Sequence, residues 1–267
     1  MRVAAIIEAR MGSTRLPGKV LKGANDAPLL AHMIERVWAA QMVDHIVVAT
    51  PATADNAPIW TFLKDAPPFV KFASGPEDDV LSRVLKAAHE QRVDVIVELT
   101  GDCPLIDPAI IDLCAAYYMA AYDVNTGTGA WDFVGNTRPF TWPRGMDVRV
   151  FSTQTLEQVD KEVTGDIREA YWREHVSPWM YERVDTPYRC LNLTADPNVT
   201  YPELNLSVDT QDDYRRVKGI IEALKAGNPM FTVSDAIQYL APLPGYEMLN
   251  TNRPEIAAPW MQDVVSA

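Results

Sequence analysis

Apolar and polar positions follow two rhythms through the first half of the chain. Residues 3–9 form a short, nearly all-apolar run, as expected of a central parallel strand buried on both faces. In residues 28–41, Leu29, Met33, Val37 and Trp38 fall on one side at helical spacing, which predicts a helix. A second strand is predicted over 45–50, rich in β-branched residues; a short helix over 56–64 and a third strand over 69–73 follow. Val80, Leu81, Val84, Leu85 and Ala88 make 78–91 a strongly amphipathic helix. Residues 94–100 give a fourth strand and 108–119 its following helix. Regular alternation of this kind implies right-handed βαβ units, with a mostly parallel sheet between two helical layers.

The second half is less periodic. Residues 127–141, rich in Gly, aromatic and polar residues, read as loop or antiparallel edge. A strand is expected over 145–151, a long helix over 165–184 and strands over 190–194 and 204–208. Helices over 212–226 and 233–240 close the fold, and 246–267 reads as a loosely packed tail. The simplest account is one α/β domain over 1–245. A regular first half of about 120 residues is joined to a mixed antiparallel and helical elaboration over 121–245.

Composition narrows the class. The 267 residues carry 24 basic and 36 acidic side chains, a formal net charge of −12, with a sequence pI near 4.8. That balance disfavours nucleic acid or an anionic membrane as partner, since both attract basic surfaces. An anionic ligand must then be held by a local cluster of cations. Cys103, Cys114 and Cys190 have no CxxC spacing and read as reduced thiols. The opening residues lack the apolar run of a secretion signal, and no stretch approaches the ~20 apolar residues of a membrane span. A cytoplasmic protein is expected.

The densest chemical signal follows the first strand: Arg10-Met11-Gly12-Ser13-Thr14-Arg15-Leu16-Pro17-Gly18-Lys19. Ligands of open α/β sheets bind beyond the carboxyl ends of the strands. Two glycines, two hydroxyls and three cations at that place suit a polyphosphate. The loop is not a Walker A motif, because five residues separate Gly12 from Gly18 and Val20 stands where Ser or Thr would bind magnesium. Asp102 ends the apolar run of the fourth strand, and Asp209 follows Leu204–Val208. Carboxylates so placed can hold a hard cation together with phosphate and water; the simpler roles are a turn at Asp102 and a helix cap at Asp209, for which Thr210 and Asp212 serve equally well.

The pattern RxGSxRLPGK resembles the nucleotide loop of the sugar cytidylyltransferases, which include CMP-KDO synthetases, acylneuraminate cytidylyltransferases and their spore-coat polysaccharide relatives. The resemblance continues in order through Ser74-Gly75-Pro76-Glu77-Asp78-Asp79, Thr100-Gly101-Asp102-Cys103-Pro104, Pro143-Arg144-Gly145-Met146-Asp147, Arg173-Glu174-His175 and Val208-Asp209-Thr210. It implies a Rossmann-like nucleotide-diphospho-sugar transferase fold and magnesium-dependent transfer of CMP from CTP to a sugar acid. Arg10, Arg15 and Lys19 would grip the phosphates, and Asp102 and Asp209 would bind Mg2+. Ala9, Met11, Gly12, Ser13, Ser74, Gly75 and Asp79 would line the nucleotide site.

On the acceptor side, Arg144, Asp147, Arg168, His175 and Asn205 are the candidates, Arg being suited to a planar anion. The resemblance further implies a homodimer, for which Trp131, Phe133, Phe140 and Trp142 would supply an apolar interface. Glu8 departs from the Gln more usual in the spore-coat branch. It could bind magnesium, pair with Arg10 or mark an altered base pocket. A phosphonate acceptor, a glycosyltransferase lacking the second Asp of a DxD motif, and a non-catalytic nucleotide-binding relative are the alternatives.

Overall fold

A computed structural model describes residues 1–120, 122–123, 126, 129–163 and 170–243. Arg168 and the expected tail over 246–267 lie outside the described residues. The first half follows the predicted alternation: β1 (Val3–Glu8), α1 (Leu29–Trp38), β4 (His45–Pro51), α2 (Ala57–Leu63), β5 (Val70–Gly75), α3 (Val80–Gln91), β6 (Val95–Thr100) and α4 (Pro108–Met119). A short hairpin, β2 (Gly23–Ala24) with β3 (Ala27–Pro28), precedes α1. The second half supplies β7 (Phe133–Gly135), β8 (Arg149–Ser152), α5 (Thr153–Glu162), α6 (Ala170–His175), α7 (Pro178–Tyr181), β9 (Cys190–Asn192), α8 (Gln211–Leu224) and α9 (Val233–Leu240).

Among the described residues the main sheet has seven strands in the order β5-β4-β1-β6-β8-β7-β9. Only the β6–β8 and β8–β7 pairings are antiparallel. The chain winds outward from β1 through β4 to β5, then crosses back to place β6 on the other side of β1. The carboxyl ends of β1 and β6 therefore flank the point where strand order reverses, the usual ligand crevice of such sheets. Val3, Ala5 and Ile7 face one core beneath α1, α2, α4, α8 and α9, and Ala4 and Ile6 face the other beneath α3, α5, α6 and α7. This two-sided burial is why β1 reads as a continuous apolar run.

Several boundaries differ from the sequence reading. The expected strand over 145–151 begins only at Arg149, because Gly145 sits at φ 96, outside the extended region. The expected 204–208 strand reduces to a single bridge between Arg144 and Asn205. The long helix over 165–184 is interrupted: Val176 takes a left-handed φ of 66, and Pro178 begins α7. Helix α5, missed in the sequence, starts where Ser152 Oγ accepts from the Thr155 amide. Phe133 and Trp142, expected at a subunit interface, are buried within this one chain, and Trp131 and Phe140 are half-buried.

Asp107 ties α4 to the last helix. Its Oδ1 accepts from Ala109 at the start of α4, and its Oδ2 accepts from Val233 at the start of α9, at 3.0 and 2.8 Å. Asp107→Ala uncaps α4 and leaves the buried Val233 amide without this acceptor, at an expected cost of about 1–3 kcal/mol. Urea unfolding of the variant against the wild type checks it, and an unchanged midpoint would refute the tie.

Candidate active site

The loop after β1 is shaped by its own backbone. The Met11 carbonyl accepts from both Ser13 and Gly18 at 2.9 Å, folding the loop over itself, and Gly18 adopts φ 68 to make the return. From outside, the buried Asn56 accepts the Met11 amide at 2.8 Å while its own amide group donates to Thr53. Leu16 anchors the loop in the core. A 3-10 turn over Lys19–Leu21, with Val20 buried, then fixes the root of the Lys19 side chain.

Lys19 Nζ lies 3.1 Å from Asp102 Oδ2 and 2.9 Å from Asp209 Oδ1, and Arg15 reaches the same Asp209 oxygen at 2.9 Å. Burial opposes the charged ammonium, but the two carboxylates outweigh it and hold the Lys19 pKa above its ordinary value. Asp102 is presented by a tight turn at the end of β6, where the Gly101 amide donates to the Glu8 carbonyl at 2.8 Å. A Cβ on Gly101 would stand 2.7 Å from that oxygen, so the strand ends can meet only with glycine there.

Asp209 is brought alongside by backbone contact, as Val208 donates to the Asp102 carbonyl at 2.8 Å. The helix cap question is resolved by a capping box in which Thr210, not Asp209 or Asp212, is the N-cap of α8 and Asp213 is its partner. Asp213 also accepts from the amides of Asp209 and Thr210, leaving the Asp209 carboxylate to face Lys19 and Arg15.

Other predicted residues are placed differently. Arg10 leaves the loop toward α6, 3.8 Å from Glu174. The Asp79 carboxylate caps α3 and receives Ser82 Oγ and Arg173, so it braces the nucleotide-side loop from behind. Burial pushes its pKa up, but the Arg173 and Ser82 hydrogen bonds prevail and hold it below the usual range. Ser74 and Gly75 end β5. Lys86 caps the Ser74 carbonyl at 2.6 Å, and a Cβ on Gly75 would meet Arg83 Cγ at 2.9 Å. Asn205 is 3% exposed, its amide group donates to Asp213, and its oxygen accepts from Ser207. These bonds tie it to α8.

Arg144 lies over the Phe140 ring, and its backbone pairs with Leu204 and Leu206. The backbone on either side of Asp147 is held by Asn136, whose side chain accepts from Val148 and donates to the Met146 carbonyl at 2.8 and 2.7 Å. Burial raises the Asp147 pKa, with Asp102 adding to the rise against Arg149 and Arg144. His175 ends α6, its ring tilted against Tyr171 with centroids 4.5 Å apart, just before the break at Val176.

Sequence reasoning missed Asn56 and Asn136, single residues without periodic signature. It also missed Arg173 as a latch, although its three partners Asp79, Ser82 and Asp160 come from two helices and a helix start. Cys103 is buried, and burial followed by Asp102 and Asp147 pushes its thiol pKa up, which agrees with a filler role.

Among the described residues Arg10 pairs with Glu174 and not with Glu8. Its strand position continues the face of Ala4 and Ile6, and Glu98 continues that of Ile96. Register sets Glu98 beside both Ile6 and Arg149. Arg149 lies 3.5 Å from the buried Glu98, and Glu8 Oε1 is buried without a hydrogen-bond partner. Burial, then Glu98, raises the Glu8 pKa well above 4.5, against Arg83 and Arg149.

The geometry is thus a pinched cationic loop facing two converging carboxylates at the switch point of a mostly parallel sheet. The sequence profile of the family described as Cytidylyltransferase matches residues 4–226. This chain belongs to the cytidylyltransferase family. A solved cytidylyltransferase from Leptospira borgpetersenii serovar Hardjo-bovis (strain JB197) superposes with a TM-score of 0.79 at 30% identity, over 95% of this chain and 98% of that one. The spore coat polysaccharide biosynthesis protein SpsF of Bacillus subtilis (strain 168) is 29% identical over 241 residues, 88% of this chain and 92% of its own. A 3-deoxy-manno-octulosonate cytidylyltransferase from Geobacter metallireducens is 34% identical over 128 residues, about half of each chain at 48% and 49%. The cytidylyltransferase is accordingly a nucleotidyltransferase with a Rossmann-like α/β fold. No helix among its described residues is long and apolar enough to cross a membrane.

A carboxyl whose pKa is raised by folding stabilises the protein below its unfolded pKa, and that stabilisation is lost as pH rises through the folded value. Wild-type stability should therefore decline toward alkaline pH as Glu8 is forced to ionise. Glu8→Gln should match the wild type below about pH 5 and unfold about 2–4 °C higher above neutrality, if about 1 kcal/mol is recovered. Thermal melts across pH check this, and parallel pH profiles for the two proteins would contradict it.

Proposed function

We propose that this cytidylyltransferase transfers CMP from CTP to a sugar acid of the nonulosonate or KDO type, releasing pyrophosphate, in surface polysaccharide synthesis. The observation that carries the reading is the convergence of Lys19, Asp102 and Asp209, with Arg15 beside them, where the β1 loop meets the end of β6. The polysaccharide role of SpsF and the activity named for the Geobacter relative support the choice of acceptor.

Magnesium fits this donor set. Two carboxylates already approach one cationic centre, and hard cations commonly take one or two carboxylates with phosphate and water completing the shell. Among the described residues no group of three or more His, Cys, Asp or Glu converges as a metal site, so the remaining ligands would come from nucleotide and solvent. Asp102 and Asp209 would hold the ion, which when bound supplies charge neutralisation at phosphate and lowers the pKa of a nearby hydroxyl.

The chain's own residues account for positioning. Lys19, Arg15 and Arg10 take the triphosphate, and Ala9, Met11, Gly12, Ser13, Ser74 and Gly75 bound the nucleotide. Arg144, Asp147 and His175 face the acceptor. The acceptor oxygen forms a bond to the α-phosphorus while the bond from that phosphorus to the α,β-bridging oxygen breaks. Pyrophosphate departs with the electron pair and the hydroxyl proton passes to solvent. Alignment and charge stabilisation supply most of the rate in such transfers, so cations fixed before the reaction matter more than a covalent partner.

Pyrophosphate release should require CTP, a divalent cation and one acceptor from a panel of 2-keto sugar acids and phosphonates. Asp102→Asn and Asp209→Asn should each lower turnover by about 10²-fold or more with the circular dichroism unchanged. Equal release from all four nucleoside triphosphates would remove the CTP assignment, and release with a phosphonate alone would replace the acceptor class.

A further inference from the structure

Lys19 occupies the position that the proposed metal needs. Its ammonium stands within 3.1 Å of Asp102 and 2.9 Å of Asp209, and all three side chains are largely buried, at 14%, 26% and 15% exposure. Free Mg2+ would have to displace this ammonium from both carboxylates and leave it beside a divalent charge. Like charges at such separations repel strongly where water is scarce. A triphosphate changes the balance, because its oxygens offer the ammonium a new partner while bringing the metal with them.

We infer that Lys19 is an internal stand-in for the metal, exchanging Asp102 and Asp209 for phosphate oxygens as the nucleotide arrives, so that the divalent cation enters only with nucleotide. The inference rests on the metal site proposed above. Three features suit Lys19 to the exchange. Its backbone is fixed in the turn over Lys19–Leu21, so only the side chain must move. A four-carbon stem ending in a compact ammonium can re-aim without the fixed planar geometry of guanidinium. The two carboxylates stay converged when it leaves, because Val208 is bonded to the Asp102 carbonyl and Asp213 grips the backbone at Asp209 and Thr210. Arg15 also touches Asp209 but is 55% exposed and reaches only that one carboxylate, so solvent screens its hold.

Mn2+ titrations of the nucleotide-free full chain, read by electron paramagnetic resonance of the free ion, test this without any acceptor. Wild type should bind Mn2+ weakly, Lys19→Met tighter by about tenfold or more, and Arg15→Met by about threefold or less. Adding Asp102→Asn to Lys19→Met should abolish the gain. Equal nucleotide-free affinity in wild type and Lys19→Met overturns the stand-in while leaving the metal site in place. Tight Mn2+ binding that survives Asp102→Asn overturns both. Should Lys19→Met fail to fold, as circular dichroism would show, Lys19→Gln replaces it. Wild type alone also decides, because Mn2+ affinity that does not rise with an α,β-methylene analogue of CTP, beyond what the analogue binds by itself, refutes the exchange.

Discussion

One ammonium group joins three distant parts of the chain. Lys19 Nζ draws together the loop behind β1, the end of β6 and the segment before α8, positions separated by 83 and 190 residues in sequence. Two carboxylates would not share so small a space without a cation between them. The surrounding backbone is arranged to present them: glycine at 101 lets β6 end against β1, Val208 bonds across to Asp102, and Asp213 turns the start of α8. Charge compensation at this point is the constraint that the loop, the sheet and the last helices jointly satisfy.

A second charged layer lies on the other side of β1 and β6. Glu8, Glu98 and Arg149 share the sheet face covered by α3, α6 and α7, where Arg83 of α3 also faces Glu8. The site therefore has two electrostatic environments separated by the sheet. Above the strand ends, Lys19 and Arg15 are matched to Asp102 and Asp209. Below, burial raises the pKa of Glu8 and Glu98, and Arg149 opposes the rise at both. Glu8, in line with Ala4 and Ile6 on β1, belongs to that lower environment.

The first half of the fold was legible because each element satisfies one simple rhythm. Strands β1, β4 and β6 are buried on both faces, β5 is an edge strand that leaves Lys71 and Phe72 exposed, and α3 carries an apolar stripe wide enough to read. The cationic loop stood out against an acidic chain, and Asp102 and Asp209 were legible from their places after apolar runs. The second half failed for physical reasons. Its strands are three or four residues long and are held by pairing across the sheet more than by local preference. The segment around Leu204–Val208 is apolar because it is buried, yet it makes only one bridge. Val176 defeats a helix reading because no propensity scale places a β-branched residue at positive φ. The capping box at Thr210 and Asp213 was readable in principle from its T-x-x-D spacing. Asn56, Asn136 and Arg173 were not, since each acts through backbone or charged partners far away in sequence.

Arg173 carries an implication for how this scaffold can be altered. Its guanidinium takes Asp79 and Ser82 at the start of α3 and Asp160 on α5, fastening α6 to both helices. The segment that bears His175 is therefore not an independent module. A chimera that imports α6 and α7 from a homologue with different acceptor preference would need matching residues at positions 79, 82 and 160. Without them the transplanted helices would lose their registration against α3. Variation in α6 and α7 is thus confined to side chains pointing away from that latch, or to changes that rebuild all of its partners together.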